Sequence, residues 1–113
     1  MRKIDLKPYQ YDGIDRDGTA RSVAIDIVKN IRGVMLHEVQ EHSGASLLDA
    51  ADLCNKIAAA AKKGEVILEE AEWEALRAGF AKFRGLGESF VELARRVVKA
   101  ETVDLNAADK PKR

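Results

Sequence analysis

Two histidines and two glutamates stand within residues 37–42, HEVQEH, and these side chains bind zinc and activate water in metallopeptidases. That chemistry places two histidines four residues apart, so that both reach one metal ion from one face of a helix. His37 and His42 are five residues apart, about 140° around a helix axis, and the chain contains no third histidine. The spacing therefore predicts no zinc site, and we expect HEVQEH to end a structural helix.

Two further stretches resemble functional motifs without completing them, and one cysteine is a further candidate. The segment DGIDRDGTARSVA carries Asp15 and Asp17 but lacks the carboxylates at the first and twelfth positions of a calcium loop, so it predicts a turn. Residues 85–89, GLGES, lack the preceding strand and the lysine of a phosphate-binding loop. Cys54 falls in an apolar stripe with Leu47, Ala51, Ile57 and Ala61 and is predicted to be buried. We therefore predict no enzyme: no catalytic residue, no metal, no cofactor and no small-molecule substrate.

The composition argues against several classes of protein. The 113 residues, 46% hydrophobic and 34% charged, suffice for one domain with a modest core. The 19 basic and 19 acidic residues cancel, so the chain lacks the basic character typical of nucleic-acid-binding proteins, and nucleic acid is not the expected partner. There is no apolar run long enough for a membrane-spanning helix, and the amino terminus does not read as a signal peptide.

The apolar periodicity predicts an α+β fold that is mainly helical. Two Asp-Gly pairs predict an amino-terminal β-hairpin, and four stretches of three- and four-residue spacing predict helices. Ser46 or Ser43 is predicted to cap the second helix, and Phe90, Val91, Ala94, Val97 and Val98 are predicted to face inward from the fourth. The predicted elements are hairpin arms at 4–11 and 19–23, helices at about 24–42, 46–63, 69–84 and 88–98, and short strands at 66–68 and 102–105. Residues 1–105 are predicted to form a single compact domain, with 106–113 as a polar tail.

Large aromatic side chains and a pair of arginines in the last two predicted helices are the interface candidates. Trp73, Phe80 and Phe83 lie on one side of the third helix and are expected to serve as core residues or as interface anchors. Arg95 and Arg96 are spaced to form ion pairs along the fourth helix, and are candidates for contacts between subunits.

The same two helices allow an alternative function. Joined by RGLGES, they loosely resemble a helix-turn-helix, as in a small DNA-binding transcriptional regulator. The second helix offers few side chains that read bases, and Glu88 and Glu92 would repel phosphates. This alternative therefore ranks behind a protein-interaction role.

Three stretches together resemble small proteins of tailed bacteriophages that are encoded near the virion structural genes. They are KIDLKPYQYDG, SVAIDIVKNIRGVML and GEVILEEAEWEALRAGFAKFRGLGESFVELARRVVKAETVDL, and the resemblance is strongest over residues 64–105. It implies a non-enzymatic component that is part of a virion, assists its assembly or acts on a host protein. The expected partners are further copies of the chain or other phage structural proteins, and the expected location is the virion or the host cytoplasm.

Overall fold

The structure, a computed structural model, describes residues 1–14 and 16–103. Its order of strands and helices confirms the α+β, mainly helical fold. The elements are β1 (Arg2–Asp5), β2 (Tyr9–Ile14), β3 (Ala20–Ile25), α1 (Ile27–Met35), α2 (Gly44–Ala59), β4 (Glu65–Leu68), α3 (Glu70–Lys82), α4 (Val91–Val98) and β5 (Glu101–Thr102), with short 3-10 turns at Glu38–Gln40, Ala61–Lys63 and Glu88–Phe90. The polar tail and the end of the last predicted strand lie outside the described residues.

The strands form two separate antiparallel sheets. One has the order β4-β1-β5, and the other is the hairpin of β2 and β3. The hairpin was predicted, but its first strand was placed too early: Ile4 pairs with Val66 in the other sheet, and the hairpin ladder begins only at Tyr9. Pro8 lies between the two strands, where its missing N–H breaks the ladder.

The first helix is shorter than its apolar pattern predicted. Strand β3 continues to Ile25, and the Asp26 carboxylate then accepts a hydrogen bond from the Lys29 N–H at 3.0 Å, which fixes the start of α1. Ala24 therefore belongs to a strand, and α1 ends at Met35. The pattern misled at this boundary because β3 and α1 each contribute apolar residues without an intervening loop.

The second helix begins after Ser43, one of its two predicted caps, and buries a different face from the one predicted. Ser43 and Ser46 form a reciprocal capping box at its start. Leu47 and Ala61 were predicted to face inward, yet both are exposed; Leu47 stands in the first turn and Ala61 beyond the helix end. The buried residues of α2 are Ala50, Leu53, Cys54 and Ile57.

The last two helices pack around one buried indole. Trp73 is 6% exposed, and its Nε1–H donates to the Val97 carbonyl at 2.8 Å, satisfying an acceptor at the end of α4. Leu93 and Val97, four residues apart, form the buried face of α4. Val91 and Val98 were predicted to face inward, but they lie well around the helix from Leu93 and are exposed.

Candidate interaction surface

The hairpin of β2 and β3, residues 9–25, is called the arm. Every residue from Arg16 to Ala24 is exposed, and so is Ile14, at 75%. A two-stranded hairpin in water is only marginally stable by itself, since it has no second layer over which to bury its side chains. The arm is thus a strand pair that gains stability from whatever covers it.

Tyr9 holds the base of the arm against the start of α4. Its hydroxyl donates to the Ser89 carbonyl at 2.6 Å and accepts from the Leu93 N–H at 3.2 Å. The second bond satisfies one of the N–H groups that the first turn of a helix leaves without a partner. The phenol therefore fixes the direction in which the arm leaves the body.

Arg96 holds the segment that leads into the arm. Its Nε donates to Glu92 at 2.7 Å, and its Nη1 donates to the Lys7 and Asp5 carbonyls at 2.6 and 3.3 Å. The Arg96 side chain is only 15% exposed, whereas that of Arg95 is 65% exposed. Of the two candidate arginines, Arg96 is tied into the fold and Arg95 is presented to solvent.

Tyr11 makes a second contact between the arm and the body. Partial burial raises the pKa of its hydroxyl, as do a hydrogen bond to Glu88 and the negative charge of that carboxylate. The neutral phenol is the form that donates to Glu88, so this contact is complete at neutral pH.

The three aromatic candidates differ in how deeply they are buried. Trp73 and Phe80 lie in the core, and Arg2 stacks on the indole with its guanidinium carbon 3.8 Å from the ring centroid. Phe83 is half-buried and meets the His37 ring edge-on, with 5.1 Å between centroids. The exposed apolar side chains of the arm, Ile14 and Val23, were not among the predicted candidates.

HEVQEH does not end an α-helix as predicted, because α1 stops before it and residues 38–40 form a 3-10 turn. His37 Nδ1 accepts from the Val39 N–H at 3.0 Å, which caps that turn. His42 lies 2.7 Å from the Met35 carbonyl through Nε2 and 3.0 Å from Ser46 Oγ through Nδ1. Within residues 1–14 and 16–103, no three His, Cys, Asp or Glu side chains gather where a metal ion would bind.

A cleft of about 310 Å³ separates α2 from α3. Leu53, Ala75 and Gly79 supply its apolar wall, and polar side chains stand at its rim. Two of these polar groups already serve the fold: His42 contacts the Met35 carbonyl, and Lys82 donates to the Gln40 carbonyl at 2.7 Å. The cleft is therefore a gap between packed helices, and two of the polar groups at its rim are already bonded within the fold.

Sequence reasoning missed Tyr9 and Ile14. Pro8 signals that a new strand begins directly after it, and Ile14 is the single large apolar residue inside a polar turn segment. Read together, these two signals predict an arm that starts at Tyr9 and carries an apolar side chain near its tip.

Comparison of the chain with protein-family models, with curated proteins and with solved structures found no match. Of the helices in the described part of the chain, none has both the length and the apolar character to cross a membrane.

Proposed function

We propose that this chain is a non-enzymatic protein-interaction component that associates with further copies of itself through the arm. Its role would be that of a structural or assembly protein of a phage virion, in keeping with the resemblance of its sequence. The observation that carries the proposal is the exposed arm, a strand pair with apolar side chains in solvent, held at its base by Tyr9 and Arg96.

The architecture of the base supports a binding role. Tyr9 and Arg96 make five hydrogen bonds that fix where the arm begins, while residues 16–24 of the arm are exposed. Because one end of the hairpin is held in a defined direction, less conformational entropy is lost when a partner binds it. Strand edges are also surfaces to which another chain adds by backbone hydrogen bonds.

The charge balance supports self-association. The formal net charge is +0 at pH 7, so copies of the chain experience little mutual repulsion. Contacts between identical chains therefore need only modest apolar and backbone complementarity to form at high local concentration.

The test compares two exposed apolar residues by sedimentation velocity over a range of concentrations. Ile14→Asp alters the arm, and Leu48→Asp is the matched control on α2, because Leu48 is also highly exposed, at 67%. We expect Ile14→Asp to lower the sedimentation coefficient toward that of the 12.5 kDa chain and Leu48→Asp to leave it at the wild-type value. Equal behaviour of both variants and wild type would contradict a role for the arm.

A further inference from the structure

The side-chain amide of Gln40, at the cleft between α2 and α3, has a fixed orientation. Gln40 is only 8% exposed and lines that cleft. Its Nε2 uses both of its hydrogens, donating to the Val34 carbonyl at 3.0 Å and to the Gly79 carbonyl at 2.9 Å. The reverse orientation would set the amide oxygen against these two carbonyls, so the two hydrogen bonds decide where Oε1 lies.

The same amide has one acceptor left over. Among the residues that the structure describes, no hydrogen bond reaches Gln40 Oε1, and no side-chain oxygen or nitrogen that is sealed from solvent lacks a partner. Oε1 is therefore not sealed off, and the cleft is where Gln40 reaches the surface. A carbonyl oxygen that faces a mainly apolar cavity is a costly group to leave without a hydrogen-bond donor.

The cleft is large enough for a bicyclic ring. Its volume is about 310 Å³, and an apolar cavity of about 150 Å³ already holds benzene. Small side chains line it on both helices and leave between them a gap that a flat ring fills, and a methionine adds the sulfur contact that aromatic rings favour. The residues of its apolar part are Met35, Ala50, Leu53, Ala75, Ala78 and Gly79.

The polar groups at the rim favour an uncharged ligand. Asp49 carries a negative charge and Lys82 a positive one, and the Lys82 Nζ already donates to the Gln40 carbonyl. His42 can make both of its contacts as a neutral imidazole, because Nε2 donates to the Met35 carbonyl and Nδ1 accepts from Ser46. One acid and one base supply no net charge to attract an ion, whereas the free acceptor Oε1 selects a donor.

We propose that the cleft between α2 and α3 binds a small, uncharged aromatic molecule that carries one N–H or O–H donor, such as an indole or a phenol. The ring packs between the small side chains of the two helices, and its donor bonds to Gln40 Oε1. The site lies in the helical body and uses no residue of the arm. It therefore goes beyond the proposed function and does not depend on it.

The test compares indole with indene, which has nearly the same shape but carries no N–H donor. Titration of the wild-type chain followed by ¹H–¹⁵N NMR reports both affinity and position, since the amide signals of Gln40, Leu53 and Gly79 come from the cleft. We expect indole to shift these signals and to bind at least about tenfold more tightly than indene, which leaves the Gln40 acceptor without a donor.

A variant that fills the cleft locates the site. Ala78→Leu places a larger side chain in the cleft from an exposed position. Ala81→Leu is the matched control on α3, because Ala81 is also exposed but does not line the cleft. We expect Ala78→Leu to weaken indole binding at least about tenfold and Ala81→Leu to leave it at the wild-type value.

Three results would overturn the proposal. Unshifted cleft signals at about 1 mM indole would mean that water alone satisfies Gln40 Oε1. Equal affinities for indole and indene would mean that this acceptor selects no donor. Indole binding that Ala78→Leu leaves unchanged would place the indole site elsewhere on the chain.

Discussion

At the scale of single residues, the adjacent arginines Arg95 and Arg96 differ in burial and in the contacts that they make. Arg96 is mostly buried and holds two main-chain carbonyls together with the Glu92 carboxylate. The exposed Arg95 side chain forms an ion pair with Glu92 at 3.7 Å. Hydrogen bonds from a largely buried cation to main-chain carbonyls contribute more to stability than an exposed ion pair does.

We therefore expect Arg96→Ala to lower the free energy of unfolding by about 1–3 kcal/mol, because it removes charged hydrogen bonds from the base of the arm. Arg95→Ala is the control and should change it by less than about 0.5 kcal/mol. Urea unfolding, monitored by the fluorescence of Trp73, measures the free energy of unfolding of both variants. Equal destabilisation by the two substitutions would contradict the structural role of Arg96.

A second prediction at this scale concerns Glu72. Burial acts to raise the pKa of its carboxyl, but the hydrogen bonds from Lys56 and the Glu69 backbone, with the Lys56 charge, lower it on balance. A lowered pKa in the folded state gives stability that is present above the ordinary value of 4.5 and is lost as the pH falls through the folded value.

We expect Glu72→Gln to lower stability by less than about 1 kcal/mol at pH 7 and to flatten its fall below pH 4.5. Glu74→Gln is the matched control on the same helix, since it removes the same charge from an exposed pair with Arg77. Unfolding midpoints from pH 7 to pH 3 test this. An acid dependence that is identical in both variants would contradict the assignment to Glu72.

At the scale of elements, the sequence pattern located most helices and failed at specific boundaries. Capping at Ser43 and the acidic start of α3 are local signals, and both helices begin where these signals indicate. Which face a helix buries depends on its neighbours, so Val91 and Val98 were assigned to the wrong side of α4.

The partner of a strand is also set by tertiary contacts. Ile4 and the arm residues form one continuous strand-like segment in the sequence, but Ile4 pairs with Val66, more than sixty residues away. The same limit applies to the candidate site, because the exposure of Ile14 follows from how the sheets assemble. The chemistry of HEVQEH could be judged from spacing and ligand number alone, although its local conformation could not.

The helix pair α3 and α4 bears on the alternative role in DNA binding. Arg96 is engaged within the fold, and Arg95 forms an ion pair with Glu92. We expect the electrophoretic mobility of a labelled DNA duplex to stay unchanged with up to micromolar protein at low salt, where phosphate contacts are strongest. Binding that weakens steeply as salt is added would instead favour a DNA-binding regulator.

At the scale of the whole molecule, the arm carries the exposed side chain of Ile14 and is held to the body at its base by Tyr9 and Arg96. An arm that binds further copies of the chain would suit a component of a repeating structure such as a virion, which is the role proposed for the chain.

The central claim is self-association, and absolute mass in solution tests it most directly. Light scattering after size exclusion, over a hundredfold range of concentration, measures that mass without assuming a shape. We predict a mass that exceeds 12.5 kDa and rises with concentration toward a whole multiple of it. A mass of 12.5 kDa at every concentration would contradict the claim.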